Sequence, residues 1–256
     1  MVDEAQDIGV AQLKFFAAFD SDQPNKLFFA GDQGQRIFQQ PFSWKSLGVD
    51  IRGRSRSLKV NYRTSHQIRM KADLLLDSES IDIDGVVEDR SNTVSVFNGP
   101  PPLILTFDDE HEEARQNADW LKSLTQEGVL PHEIGVFVRS EREWDRAKAT
   151  VRKAGLGLTV LDDHVNTASG KVSLCTMHLA KGLEFRAVLV MACDDEVIPL
   201  QERIESVGDD ADLKEVYDTE RQLLYVACTR ARDRLRVSGV KPGSEFLEDM
   251  QSSAGK

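Results

Sequence analysis

Short apolar runs alternate with amphipathic stretches along this chain. Leu103–Phe107 (LILTF), Ile134–Val138 (IGVFV), Val172–Thr176 and residues 187–191 are brief, apolar and bounded by polar positions, which predicts strands. Residues 110–127 place Ala114, Ala118, Leu121 and Leu124 on one face and predict a helix. Residues 141–154 predict a second helix, and residues 219–229, with Leu223, Leu224 and Val226, a third. Further short strands are expected at 27–30, 58–60, near Leu158, and at 235–238. Apolar strands alternating with helices predict an α/β fold, a buried parallel sheet with helices on both faces. Ligands of such sheets gather beyond the carboxyl ends of the strands. Polar motifs follow the apolar runs repeatedly here: Asp3-Glu4, Gly31-Asp32-Gln33-Gly34-Gln35, Asn61-Tyr62-Arg63 and Thr176-Met177-His178.

Other stretches lack this patterning. Residues 77–99 are acidic and weakly patterned and read as a surface excursion, closed by the rigid break Asn98-Gly-Pro-Pro-Pro102. Residues 201–214 read as a mobile acidic loop and 251–256 as a frayed tail.

Composition narrows the classes. Of 256 residues, 40% are apolar and 29% charged, which is globular rather than disordered. No run of about 18 apolar residues predicts a membrane span, and no secretory leader pattern opens the chain. The net charge of −11 argues against indiscriminate binding to polyanions. A local basic stretch, Arg52, Arg54, Arg56, Lys59 and Arg63, has no acid among it and reads as either a binding surface or a solvated loop. Cys175, Cys193 and Cys228 are far apart, without metal-ligand spacing, and read as core thiols of a reducing cytoplasm.

Several motifs carry chemistry. An Asp at a strand end, such as Asp3, can hold Mg²⁺, and a neighbouring Glu4 can deprotonate an attacking water. Gln35 offers both a donor and an acceptor for sensing a phosphate oxygen. Phe38 and Trp44 are aromatics suited to base stacking or to plain core packing. Arg63 can fork onto a phosphate and Tyr62 can face an adenine, while Thr64 or Ser65 caps the following helix. Lys181 and Glu184 place two charges around a turn between apolar strands. Arg230 at a helix end serves either the helix dipole or a transferred phosphoryl group.

The ordered series VDEAQD, GDQGQRIF, NYRTS, TMHLAKGLEF and LLYVACTRA resembles motifs II to VI of the UvrD/Rep-type superfamily 1 DNA helicases, over nearly the whole chain. The resemblance implies P-loop NTPase lobes of RecA-like fold that hold ATP and Mg²⁺ and step 3′ to 5′ along single-stranded DNA. It implies Asp3 as the metal ligand, Glu4 as general base, and Gln35 as γ-phosphate sensor. It further implies Tyr62 stacked on adenine, Arg63 and Arg230 on the γ-phosphate, and Glu184 on the ribose. Phe38, Thr176 and His178 would meet the DNA or couple to it.

The sequence also departs from that family. No Gly-x-x-x-x-Gly-Lys-Ser/Thr loop occurs, so the amides and lysine that cradle β- and γ-phosphates are missing. Residues 1–50 are expected to be the tail of a first lobe, and 51–250 a second lobe without a large helical insertion. The chain is expected to be the C-terminal portion of a helicase, inactive alone, with a first lobe or a partner protein supplying the phosphate loop. The alternative is a non-catalytic module that binds DNA or protein.

Overall fold

A computed structural model of the chain describes residues 1–18, 26–32, 35, 42–76, 79–81, 84, 87–89, 93–162 and 167–252. The chain divides into two compact units, Met1–Asn61 with Asp77–Val94, and Tyr62–Leu76 with Ser95–Lys256.

The first unit holds α1 (Val10–Ala17), β1 (Val60–Asn61) and an antiparallel pair, β2 (Glu79–Ile81) with β3 (Val87–Asp89). Val2 and Phe29 form a parallel bridge. Its core gathers Ala5, Ile8, Leu13 and Val49, with Phe16, Phe29 and Trp44 packed against them. Trp44 meets Phe29 edge to face at 5.0 Å, so of its two sequence readings it takes core packing. The acidic 77–99 stretch is anchored here: Asp84 accepts the Ser43 hydroxyl at 2.5 Å and the Lys45 amide at 3.0 Å.

The second unit holds α2 (His66–Asp73), β5 (Leu103–Phe107), α3 (Glu110–Gln126), β6 (Ile134–Val138), α4 (Trp144–Lys153), β7 (Leu158–Val160) and β8 (Val172–Thr176). It continues with β9 (Phe185–Val190), α5 (Gln201–Glu205), α6 (Asp210–Thr229), β10 (Ala231–Val240) and α7 (Glu245–Gln251); β4 (Val94–Ser95) marks the chain's return to it. Six strands pair in the order β5-β10-β9-β6-β8-β7, and every pairing is parallel. All five residues of β6 are buried, as expected for a strand covered on both faces. Ile134, Val136 and Val138 join a core with Leu121 of α3 and Val151 of α4. On the other face Phe137 meets Phe185 at 5.9 Å. A Cβ on Gly135 would sit 2.6 Å from the Phe185 ring, so this contact requires glycine.

One sequence expectation is overturned here. The stretch 201–214 contains α5 and the start of α6, which begins nine residues before the expected 219. The Asp209 carboxylate caps α6 by accepting the amides of Ala211 and Asp212, each at 2.9 Å, and Asp210 and Asp212 suit the positive helix end. Acidity that reads as loop in the sequence is a helix N-terminus. Among the described residues no helix is long and apolar enough to cross a membrane.

Candidate functional site

In the first unit, the Val2–Phe29 bridge sets two motifs side by side. Asp3 and Glu4 are exposed just beyond Val2. One Asp3 oxygen accepts the Glu4 amide at 3.0 Å. Glu4 itself adopts left-handed backbone, φ 52° and ψ 42°, which a non-glycine residue occupies at a cost. Gln6, 5% exposed, donates its amide to the Glu4 carboxylate and accepts the Asp32 backbone N–H at 3.0 Å. Gln35 donates to the Asp32 carboxylate at 2.9 Å. The residues expected to work together, Glu4 and Gln35, are thus joined through Gln6 and Asp32. Sequence reasoning singled out neither linker, although both lie inside the quoted motifs. Phe38 lies outside the described residues.

Among the described residues no group of three or more His, Cys, Asp or Glu could hold a metal ion alone. Asp3 nonetheless fits one share of a Mg²⁺ site, since such ions commonly take one or two carboxylates with the rest from phosphates and water.

The basic stretch is partly countered. Asp50 accepts Arg52 at 2.9 and 2.6 Å, and its carbonyl accepts the Arg54 guanidinium. The Arg52 bonds hold the Asp50 carboxyl well below the usual carboxylate range.

In the second unit, three motifs meet at the amino-terminal edge of the sheet. Glu184 immediately precedes β9, and Arg230 immediately precedes β10. Arg63 Nε donates to Glu184 Oε2 at 3.1 Å, both side chains 47% exposed. Tyr62 beside it is 74% exposed. Thr64 does not cap α2; its hydroxyl donates to the Thr229 carbonyl at 3.2 Å. Ser65 occupies the N-cap position, but its buried hydroxyl makes no hydrogen bond. Arg230 is 1% exposed. Its guanidinium donates to the Val226 carbonyl at 3.0 Å and the Leu183 carbonyl at 3.5 Å, and its own carbonyl accepts the Phe185 amide at 2.9 Å. In this conformation Arg230 closes the end of α6 and holds the chain next to Glu184. The carboxyl-end rule does not describe this group: Arg63, Glu184 and Arg230 stand at the amino ends of β9 and β10.

Thr176 and His178 do follow a strand. Thr176 ends β8, and His178 lies in a 3-10 turn, Met177–Ala180, packed on α6. Beside them is a cluster that the sequence did not announce. Glu220 of α6, fully buried, accepts Arg139 twice at 2.6 Å and Arg203 at 2.9 Å. Burial and the Arg139 charge push the His178 imidazole below its ordinary range, against the pull of Glu220 and with a further push from Arg203. Its surroundings therefore disfavour the charged imidazolium form. The three thiols are all buried and free, and burial pushes Cys175 up to about 12, which leaves them inert.

Residues 158–241 match the UvrD-like helicase C-terminal domain family, a stretch that contains Thr176, His178, Glu184 and Arg230. A "Probable DNA helicase" of Mycoplasma pneumoniae is 25% identical over 244 residues, 92% of this chain and 42% of that protein. The "ATP-dependent DNA helicase UvrD1" of Mycobacterium leprae is 46% identical over 93 residues, 32% of this chain and 11% of that protein. The chain thus spans less than half the length of these relatives. The crystal structure of the C-terminal domain of a possible DNA helicase from a Lactobacillus (strain WCFS1) is similar with a TM-score of 0.51 at 22% identity. That match covers 74% of this chain and 93% of the other, and is a likeness of fold.

Proposed function

We propose that this chain, whose residues 158–241 match the UvrD-like helicase C-terminal domain family, is the C-terminal portion of an ATP-dependent helicase or translocase moving 3′ to 5′ on single-stranded DNA. The observation that carries the reading is the meeting of Arg63 with Glu184, 121 residues apart in sequence, beside the chain segment that Arg230 holds. A planar guanidinium and a carboxylate on one exposed edge suit a nucleotide, the Arg63 fork for a phosphate and Glu184 for a ribose hydroxyl. Tyr62 supplies an open ring for adenine. In the first unit, a remnant of a first lobe in this reading, Asp3 takes one position of Mg²⁺ and Glu4 the general-base role. Gln35 senses the γ-phosphate through the Asp32–Gln6 link. Mg²⁺ would supply charge neutralisation at the phosphates. Arg230 reaches a phosphate only by leaving the Val226 and Leu183 carbonyls, so its role as a finger requires rearrangement of the α6 end. Phe38, Thr176 and His178 serve single-stranded DNA or couple to it. Three inert core thiols suit a cytoplasmic protein.

The sequence contains no phosphate-cradling Gly-x-x-x-x-Gly-Lys-Ser/Thr loop. In this reading the chain by itself does not turn over ATP, any DNA binding is independent of turnover, and turnover needs a loop from a first lobe or a partner protein. The same observation favours a second reading, a binding module with no catalysis in any assembly.

Fluorescence anisotropy of a labelled oligothymidylate, with ATPase assayed in parallel, tests this. The expected result is binding that weakens steeply between about 50 and 200 mM salt, with no ATPase until a loop-bearing lobe is added. Absence of binding at the lowest salt overturns the DNA reading. Binding without ATPase under any complementation leaves the module.

A further inference from the structure

We propose that Glu220 is a positioning residue: it bolts α6 and the 177–184 connection into one rigid element that joins the Thr176–His178 group to the Arg63–Glu184 group. The assignment of what those groups contact rests on the helicase reading; the bolt itself does not.

The sheet is parallel, so the chain leaving β8 at Thr176 must return to the amino edge before β9 starts at Phe185. It does so without an α-helix, through the 3-10 turn Met177–Ala180 and residues 181–184. That turn has no side-chain cap, and Thr176 at its N-cap position makes no capping bond. It packs on α6 and also against β6 and β8, and Met177 and Ala180 within it are fully buried. Helix α6 spans the same two edges. At the amino edge Arg230 fastens it to the connection through the Leu183 carbonyl and the Phe185 amide. At the other, Glu220 is clasped by Arg139, the residue after β6, and by Arg203 of α5. Ten residues of helix separate the two fastenings, about 15 Å. A rod fastened at one end pivots; fastened at both, it carries displacement from one edge to the other.

The clasp is also a charge arrangement. Two guanidiniums share one fully buried carboxylate. Removing the carboxylate leaves Arg139, 4% exposed, without its bidentate partner, which opens that end rather than relaxing it in place.

Hydrogen exchange on the full 256-residue chain tests this, in the absence of any nucleic acid or nucleotide. The variants are Glu220→Gln, Arg203→Met, which keeps the bidentate Arg139 bond, and Glu127→Gln as a surface-pair control. The expected result for Glu220→Gln is at least tenfold faster exchange of the Leu183 and Phe185 amides, with β5 and its partner segment of β10 unchanged. Arg203→Met should move the same amides less, and Glu127→Gln not at all. Acceleration confined to residues adjoining Glu220, or spread evenly through the sheet, overturns the bolt. Should Glu220→Gln fail to fold, Arg203→Met decides alone: no change at Leu183 and Phe185 overturns it. An oligothymidylate titration of the unsubstituted chain separates the two ideas. Exchange as expected without DNA binding sinks the helicase reading and leaves the bolt; binding without the remote exchange effect sinks the bolt alone.

Discussion

Arg63 and Glu184, 121 residues apart, share one hydrogen bond of 3.1 Å on an open edge of the second unit. Exposure of both side chains limits what the pair does for folding, because water and salt screen it. A double-mutant cycle of Arg63→Ala and Glu184→Ala by urea denaturation should return a coupling of about 0.2–1 kcal/mol. In an ATPase assembled with a loop-bearing lobe, each single substitution should lower turnover by tenfold or more. A stability coupling well above that range would mark the pair as structural and remove the main support for a nucleotide contact.

Arg230 should behave oppositely. Its guanidinium is buried and donates to the Val226 and Leu183 carbonyls and to the Thr229 hydroxyl. Arg230→Met keeps much of the volume and removes those charged bonds, leaving the Val226 carbonyl with the Thr229 hydroxyl alone. The expected loss is roughly 2–4 kcal/mol of stability, since charged hydrogen bonds and buried unpaired acceptors each cost of that order. Arg230→Lys should recover only part, because one ammonium cannot span three acceptors as a fork does. An unchanged melting temperature for Arg230→Met would show that the side chain spends its time elsewhere.

Acid should weaken the second unit in two steps. His178 is held below its ordinary value near 6.5, so the unfolded chain takes the proton first. Its contribution is complete above about pH 6.5 and shrinks as pH falls toward the depressed folded value. Burial opposes the charge on Glu220, but the Arg139 and Arg203 bonds outweigh it and lower its pKa from 4.5. That contribution is present above about pH 4.5 and is lost below it. Urea midpoints between pH 8 and 4 should show His178→Phe removing the upper step. Asp233, held low chiefly by Arg232, adds to the lower limb, so the comparison between variants is the readout. A His178→Phe curve parallel to the parent's would contradict the upper assignment.

Much of this was legible in the sequence, and the reasons differ by element. β6 and α3 were plain because each is apolar on the period its structure needs. The ordered motifs pointed Arg63 and Glu184 each at a nucleotide, but their bond to one another was not legible, since no local pattern joins residues so far apart. The start of α6 was not, because Asp209, Asp210 and Asp212 look like loop until Asp209 is seen bonding the first amides. The Arg139–Glu220–Arg203 clasp left no trace: its members lie far apart in sequence, just after β6, on α6 and on α5, and a buried Glu reads in sequence like a solvated one. The amino-edge placement of Glu184 and Arg230 was missed because ligands of parallel sheets are expected at the other edge.

Gly31 gives the most direct test of the first unit. A Cβ there would lie 2.4 Å from Gln6 Oε1 and 3.1 Å from the Ala5 and Gln6 amide nitrogens. Side-chain movement could relieve the first contact but not the two backbone ones, so Gly31→Ala must push the 3–7 turn away from Asp32. The Gln6 bond to the Asp32 amide would break, while its bond to Glu4, internal to the turn, would move with it. Gln6→Ala cuts the same link without displacing backbone. If Gln6 matters as the link, both substitutions should weaken Mg²⁺-dependent nucleotide turnover in the assembled enzyme by a similar factor, tenfold or more. Only Gly31→Ala should also lower the melting temperature appreciably. If Gln6→Ala leaves turnover untouched while Gly31→Ala abolishes it, the turn's backbone carries the function, and the hydrogen-bond path from Glu4 to Gln35 does not.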